Sequence, residues 1–427
     1  MKIKYLAAFL LTAGILFLSL LGVAMIPRSA IQGNIEASAK YLNKTPENFY
    51  NIIDGADCTK IDQYADSILL NIAYCFDSEH PLHSILWAQY YEDFDEQEPV
   101  NLMAVVKGET EANTQYLRYW HGSIVPIRIM LLFWDISDIY LFHGVLIAFL
   151  LLCLVILLLR QKAKKAALGL MVSIIAVNLW VVPFCLEYTW MFLVCFAASI
   201  AAVLLAAKGK DTGLLFMITG IVAAFVDFLT TETITLVIPL LLTMEIEKEQ
   251  SSQWRKTIKR CVLWLIGFVG MWGLKWALAA VILRIDVLPY LMGNVEYHLH
   301  VPEEMTTFRF MIDGIMRNVN CLFPIGYGMP GKWAVLTGLL FLLIMPICFD
   351  KIRLKDRINI GRVNTYFLLG LIPYIRYIAI RYHCWHHYFF TYRAQAGTAL
   401  SLSLIIAELL EISHHHCKTA ATIISGR

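Results

Sequence analysis

Charge is scarce in this chain of 427 residues: Asp, Glu, Lys and Arg together make up 16%, against about a quarter in ordinary soluble domains. So little charge excludes a free-standing soluble enzyme and a disordered polyelectrolyte alike. Clustered cysteine is missing too. The ten cysteines are scattered, with no CxxC pair and no zinc-type spacing, which argues against a redox motif or a cysteine-rich metal centre. Cys58 and Cys75 share one loop and could pair only in an oxidising compartment. There is no GxGxxG, no P-loop and no GxSxG elbow, so no nucleotide or acyl-transfer signature is present. Nor is there a convincing internal repeat of the kind that inverted-repeat transporters carry weakly.

What the chain has is apolar sequence. Hydrophobic residues make up 59%, and the mean hydropathy is +0.62. They fall in runs of about 20 residues, long enough to cross a hydrocarbon layer of roughly 30 Å. This predicts an all-α, polytopic membrane helical bundle of about ten transmembrane helices. The candidate spans are 5–26, 140–159, 167–183, 188–207, 212–226, 231–245, 261–282, 333–349, 363–382 and 394–411. The first follows Lys2 and Lys4 and exceeds the apolar core of about 7–15 residues found in a secretory leader, so it reads as a retained anchor.

Charge sidedness orients the bundle. The short loops on one side collect twenty of the 35 basic residues, among them Arg160, Lys162, Lys164, Lys165, Lys208 and Lys210. The other side takes most of the acids, including Glu92, Asp93, Asp95, Glu96 and Glu98. Both termini are therefore expected in the cytoplasm of a plasma (inner) membrane. The organisation follows: a first helix (1–26), a large extracytoplasmic loop (27–139), helices two to seven (140–282), a second outer loop (283–332), and the last helices with a cytoplasmic tail (333–427). The stretch 116–140 mixes aromatics, Arg118 and Arg128 with apolar residues, which suits a helix lying in the membrane interface, and 308–323 has the same character. With the non-membrane mass on the outer face, chemistry or binding is expected there.

Three stretches carry candidate chemistry. Residues 52–74 hold Asp54, Asp57, Asp62 and Asp66 just before an apolar run. Asp62 and Asp66 share a face if helical, and a general base at the mouth of a cavity is the functional reading. A solvated loop with one aspartate capping a helix is the bland one. These four could also hold Mg²⁺ or Mn²⁺, which spacing alone does not decide. Asp227 and Glu232 lie between two apolar runs, where an acid must face water or protein because lipid is costly. The last outer turn, 381–393, reads RYHCWHHYFFTYR. Its aromatics are ordinary interfacial anchors, but Arg381, His383, His386, His387 and Arg393 on the outer face suit phosphate binding. Metal binding by His383 and His387 is the weaker reading, since no HExxH-type acid accompanies them. Arg376 lies two turns below, with no easy route to water, and reads as functional. Lys275, between Trp272 and Trp276, reads as snorkelling to the headgroups.

Taken together, Asp62-Gln63-Tyr64-Ala65-Asp66 with Leu70–Tyr74, then Arg118-Tyr119-Trp120-His121-Gly122, then His383–Arg393 resemble the GT-C superfamily of integral-membrane glycosyltransferases. The resemblance implies a polyprenyl-phosphate-linked sugar donor, a glycan or lipid-linked acceptor, and a role in cell-envelope glycan modification within membrane lipid, with no nucleic acid partner. It implies a first-loop aspartate as catalytic base, Asp66 or Asp62 before Asp57. Arg393, His387, His383 and Arg376 would hold the lipid phosphate, with Arg381, Asp227, Glu232, Arg118 and His121 as further substrate contacts. The adjacent acidic pair common in that superfamily does not occur in 52–74. The competing reading is a transporter or lipid-linked glycan flippase, which would bury its polar residues near mid-span.

Overall fold

The computed structural model describes residues 3–247, 253–322, 352–355 and 358–412. Helices dominate. The first, α1 (Ile3–Ala24), leads into α2 (Arg28–Leu42), and an antiparallel ribbon of β1 (Phe49–Asn51) and β2 (Lys60–Asp62) follows, with Phe49 opposite Asp62. Next come α3 (Gln63–Cys75), α4 (Pro81–Trp87) and α5 (Glu98–Val106), beside a second ribbon of β3 (Gln89–Tyr90) and β4 (Thr114–Gln115). The bundle continues through α6 (Ile124–Met130), α7 (Ile136–Arg160), α8 (Lys164–Ala176), α9 (Leu186–Ala207), α10 (Gly213–Val226), α11 (Ile234–Ile246), α12 (Gln253–Leu283), α13 (Leu288–Leu299) and α14 (Thr307–Asn320). Helices Ile360–Gly370, Ile372–Ala379, Arg381–His386, Tyr388–Thr391 and Ala396–Leu409 complete it.

Among the described residues four helices are long and apolar enough to cross a membrane: α1, α7, α9 and α12. α10 and α11 are apolar but shorter. Along α7, Leu141, Val145, Phe149 and Leu152 stay exposed, an arrangement that suits lipid and not water. The apolar run 333–349 lies outside the described residues, as do His414, His415 and His416.

Two expected spans are broken. The run 167–183 divides into α8 and a 3₁₀ turn, Leu179–Phe184, because Asn178 takes a left-handed conformation (φ 52°) and Pro183 follows. The run 363–382 divides after Gly370, with Pro373 in the first turn of the next helix. Nor is 116–140 one interfacial helix. Asp135 Oδ1 accepts the Ser137 N–H at 2.8 Å and starts α7 afresh, while Arg128 turns inward.

The segment between α1 and α7 shares one apolar core with the bundle, Ile68, Leu70 and Ile72 of α3 packing in the same cluster as Phe192 and Val237. Buried basic side chains help hold it there. Arg128 donates to the carbonyls of Ile26 and Ala73, near the ends of α1 and α3. Lys275 does not snorkel: it is fully buried and donates to Ile85 O (3.2 Å) and Leu86 O (2.9 Å). The last carbonyls of α4 have no intrahelical donor, and an ammonium group answers that need.

Candidate functional site

The β1–β2 hairpin ends on Asp62, and its geometry decides which first-loop acid faces open space. Asp62 leaves the strand with φ −104° and ψ 83°, and its Oδ1 accepts the Ala65 N–H at 2.8 Å, capping α3. Because a cap residue lies outside the helix, Asp62 and Asp66 do not share a helical face. Asp62 lines a cavity of about 470 Å³ while remaining only 2% exposed. Burial pushes its carboxyl up to about 7, opposed by the Ala65 N–H and aided by Asp66.

The cavity has a second carboxylate. Glu187, in the first turn of α9, lines it, and its buried Oε2 has no hydrogen-bond partner among the described residues. Aromatic rings form much of the wall: Phe49, Tyr64, Tyr116, Tyr119, Phe228 and Phe390.

The segment from Tyr116 to Gly122 carries one edge of the site. Gly122 N–H donates to Phe225 O at 2.9 Å, and a Cβ there would lie 2.5 Å from that oxygen, so only glycine lets the segment seat on the end of α10. The guanidinium of Arg118 lies 5.1 Å from the Tyr297 ring centroid and 5.7 Å from that of Tyr119. His121 Nε2 lies 2.8 Å from Tyr116 O. A carbonyl only accepts, so Nε2 carries the proton and the buried, unpartnered Nδ1 keeps its lone pair.

The opposite end of the chain supplies His383, His386 and His387. His383 Nε2 donates to Leu229 O at 2.9 Å, and His387 Nδ1 is buried without a partner. Burial pushes His121 and His387 down to about 3. These imidazoles are neutral near pH 7. Among the described residues, Arg118 is the lining's one permanent cation.

Asp62, Arg118, His121, His383 and His387 thus share one cavity, joining the first loop to the closing segment. The remaining candidates lie outside its lining. Asp66 is fully buried, accepting from Tyr140 Oη (2.5 Å) and Leu186 N (2.8 Å). Asp57 is held by Tyr388 Oη and by Lys60 at 3.1 Å. Arg393 packs 4.4 Å from the Tyr188 ring and donates to Phe389 O and Cys58 O. Arg376 pairs with Glu232 at 2.6 Å and donates to Leu229 O. Asp227 accepts from Thr230, and Arg381 donates to Leu299 O. Most of these groups fix backbone segments around the cavity. Leu229, for example, is held at φ 61° with its carbonyl taken by both Arg376 and His383.

Asp57, Asp62 and Asp66 turn to separate partners, and among the described residues no three His, Cys, Asp or Glu side chains converge as a metal-ligand set. Cys58 and Cys75 are free thiols. Sequence reasoning missed Glu187, which lies one residue before the expected span at 188. The signal was present: a lone acid opening an apolar run, at the helix end that favours negative charge. Comparison with protein-family models, curated proteins and solved structures finds no match to the chain.

Proposed function

We propose that the protein is a membrane glycosyltransferase. It moves a sugar from a polyprenyl-phosphate-linked donor to an acceptor hydroxyl at the outer face, in cell-envelope glycan modification. One observation carries the reading: Asp62, Glu187, Arg118 and neutral imidazoles meet in a single aromatic-walled cavity. Its volume is within the usual range for small-molecule sites. Aromatic rings suit the apolar faces of sugar rings, and the free Oε2 of Glu187 suits a sugar hydroxyl.

The step follows from these groups. The acceptor oxygen attacks the anomeric carbon, and its proton passes to Asp62, whose raised pKa suits a base working near neutrality. The bond from the anomeric carbon to the phosphate oxygen breaks, and the electron pair leaves on the phosphate. Arg118 and the N–H of neutral His387, which is not given to a backbone carbonyl as those of His121 and His383 are, stabilise that charge. Direct displacement inverts the anomeric centre. In this reading the cavity opens outside the cell, both termini are cytoplasmic, and the four long helices, α10, α11 and the remaining apolar runs of the sequence together give about ten crossings.

A transporter or flippase would need a polar route through the bundle. From Tyr188 to Ala207, α9 has no Asp, Glu, Lys, Arg or His. The test is sealed proteoliposomes supplied with polyprenyl-phosphate hexoses and a hydroxyl acceptor. The expected result is release of polyprenyl phosphate with one glycoside formed per donor consumed. Movement of intact solute or donor across the vesicle, without cleavage, would make it a transporter.

A further inference from the structure

Two apolar helices of this chain each end in a tight basic turn. α7 closes on Leu159-Arg160-Gln161-Lys162, and α9 closes on Ala207-Lys208-Gly209-Lys210-Asp211. The fold brings these turns together with the end of α11 and the start of α12, around a second cavity of about 910 Å³. Glu187 of the first cavity and Ala206 of the second stand near opposite ends of α9. At 1.5 Å per residue the 22 residues of α9 span roughly 33 Å, about the thickness of a hydrocarbon core.

The lining is strongly cationic. Arg160, Lys162, Lys210, Lys256, Lys259 and Arg260 face three carboxylates, Asp211, Glu245 and Glu247. Each carboxylate is already engaged: Asp211 by Lys259 at 2.8 Å, Glu245 by Arg362 at 2.6 Å, and Glu247 by Arg260. Arg160, Lys162 and Lys210 make no ion pair among the described residues. Lys162 also stands at φ 61°, a left-handed position that glycine or asparagine would take with less strain. Gly209, in the facing turn, holds the same kind of position at φ 66°.

We propose that this cavity binds a phosphate-bearing anion, at the end of the bundle opposite the aromatic site. Convergent lysines and an arginine fork suit phosphate oxygens, and basic pockets between helix ends hold phospholipid headgroups in membrane proteins. Two sources share this chemistry: an anionic lipid headgroup and a soluble phosphate compound. Exposed Leu159 and Leu204, on the helices that supply the two turns, offer an apolar surface for lipid tails. The inference does not depend on the glycosyltransferase reading.

The test uses the full-length protein and a triple variant, Arg160→Gln with Lys162→Gln and Lys210→Gln. Lys164→Gln is the control, an exposed lysine of the same basic run outside the cavity lining. Retained lipid is counted by native mass spectrometry after extraction from vesicles of phosphatidylglycerol and phosphatidylcholine. Pyrophosphate is tested separately by its shift of the melting temperature. The wild type should retain phosphatidylglycerol over phosphatidylcholine, and the triple variant should lose at least about tenfold of that preference. This result assigns the headgroup. Stabilisation by pyrophosphate without lipid preference, abolished in the triple variant, assigns the soluble source. Lys210→Gln alone should give a partial loss, which keeps the test open if the triple variant does not fold. Equal binding by the wild type and Lys210→Gln overturns the proposal, as does a loss in Lys164→Gln as large as in the triple variant.

Discussion

Asp62 and Asp66 show how one residue's position relative to a helix end decides its role. Asp62 caps α3 from outside and faces the cavity; Asp66, one turn in, is enclosed by Tyr140, Cys185 and Leu186. Asparagine caps helices as well as aspartate does, so Asp62→Asn keeps that hydrogen bond. The folded carboxyl titrates at about 7 instead of the usual 3.8, so the fold favours the neutral form. The charged form therefore costs stability, fully above pH 7, and the penalty fades as pH falls toward 4. Asp62→Asn should melt no lower than the wild type at pH 8, with any advantage shrinking below pH 7. Transfer by the wild type should rise with pH through about 7 as the base ionises. A flat profile between pH 5.5 and 8 would remove Asp62 from that role. Asp66→Ala should instead lower stability by about 1–3 kcal/mol by leaving buried donors unpaired, measured by thermal unfolding in detergent. The four-residue spacing was legible; which of the two aspartates lay outside the helix was not, because the β1–β2 hairpin sets that boundary.

At the scale of helices, close contacts depend on small residues and on buried basic groups. A Cβ on Gly220 would lie 2.1 Å from Trp264 O, and one on Gly267 would lie 2.2 Å from Met217 O. α10 and α12 therefore meet backbone to backbone through a reciprocal glycine pair, as apolar helices do when small residues let them approach. Gly267→Leu should force them apart and cost about 1–3 kcal/mol or more, read as lower thermal stability. A wild-type melting temperature would rule out this contact. The turn after α10 relies on Arg376, whose removal leaves Glu232 buried and unpaired. Arg376→Ala should lose about 3–5 kcal/mol, and adding Glu232→Gln should recover part of it; no recovery would mean that the pair is not what Arg376 supplies. Apolar runs announced the helices well, as in α1, α7 and α9. The roles of Lys275, Arg128 and Arg393 were hidden because each has a carbonyl partner between 55 and 335 residues away along the chain.

Among the described residues, two cavities lie near opposite ends of α9, whose middle packs into the apolar core. The sequence already paired acids after the first helix with histidines near the end of the chain, and Asp62, His383 and His387 do line one cavity. It did not reveal that most of the accompanying arginines hold backbone carbonyls, nor that Glu187 joins Asp62. Both facts arise from long-range packing. The most direct test of the account is the single-turnover rate of sugar transfer from a polyprenyl-phosphate hexose, compared between the wild type and a folded Asp62→Asn variant at pH 8. The account predicts a loss of roughly 10²–10⁴-fold, the usual contribution of a general base, with the melting temperature unchanged or higher. Equal rates in the two proteins would contradict it.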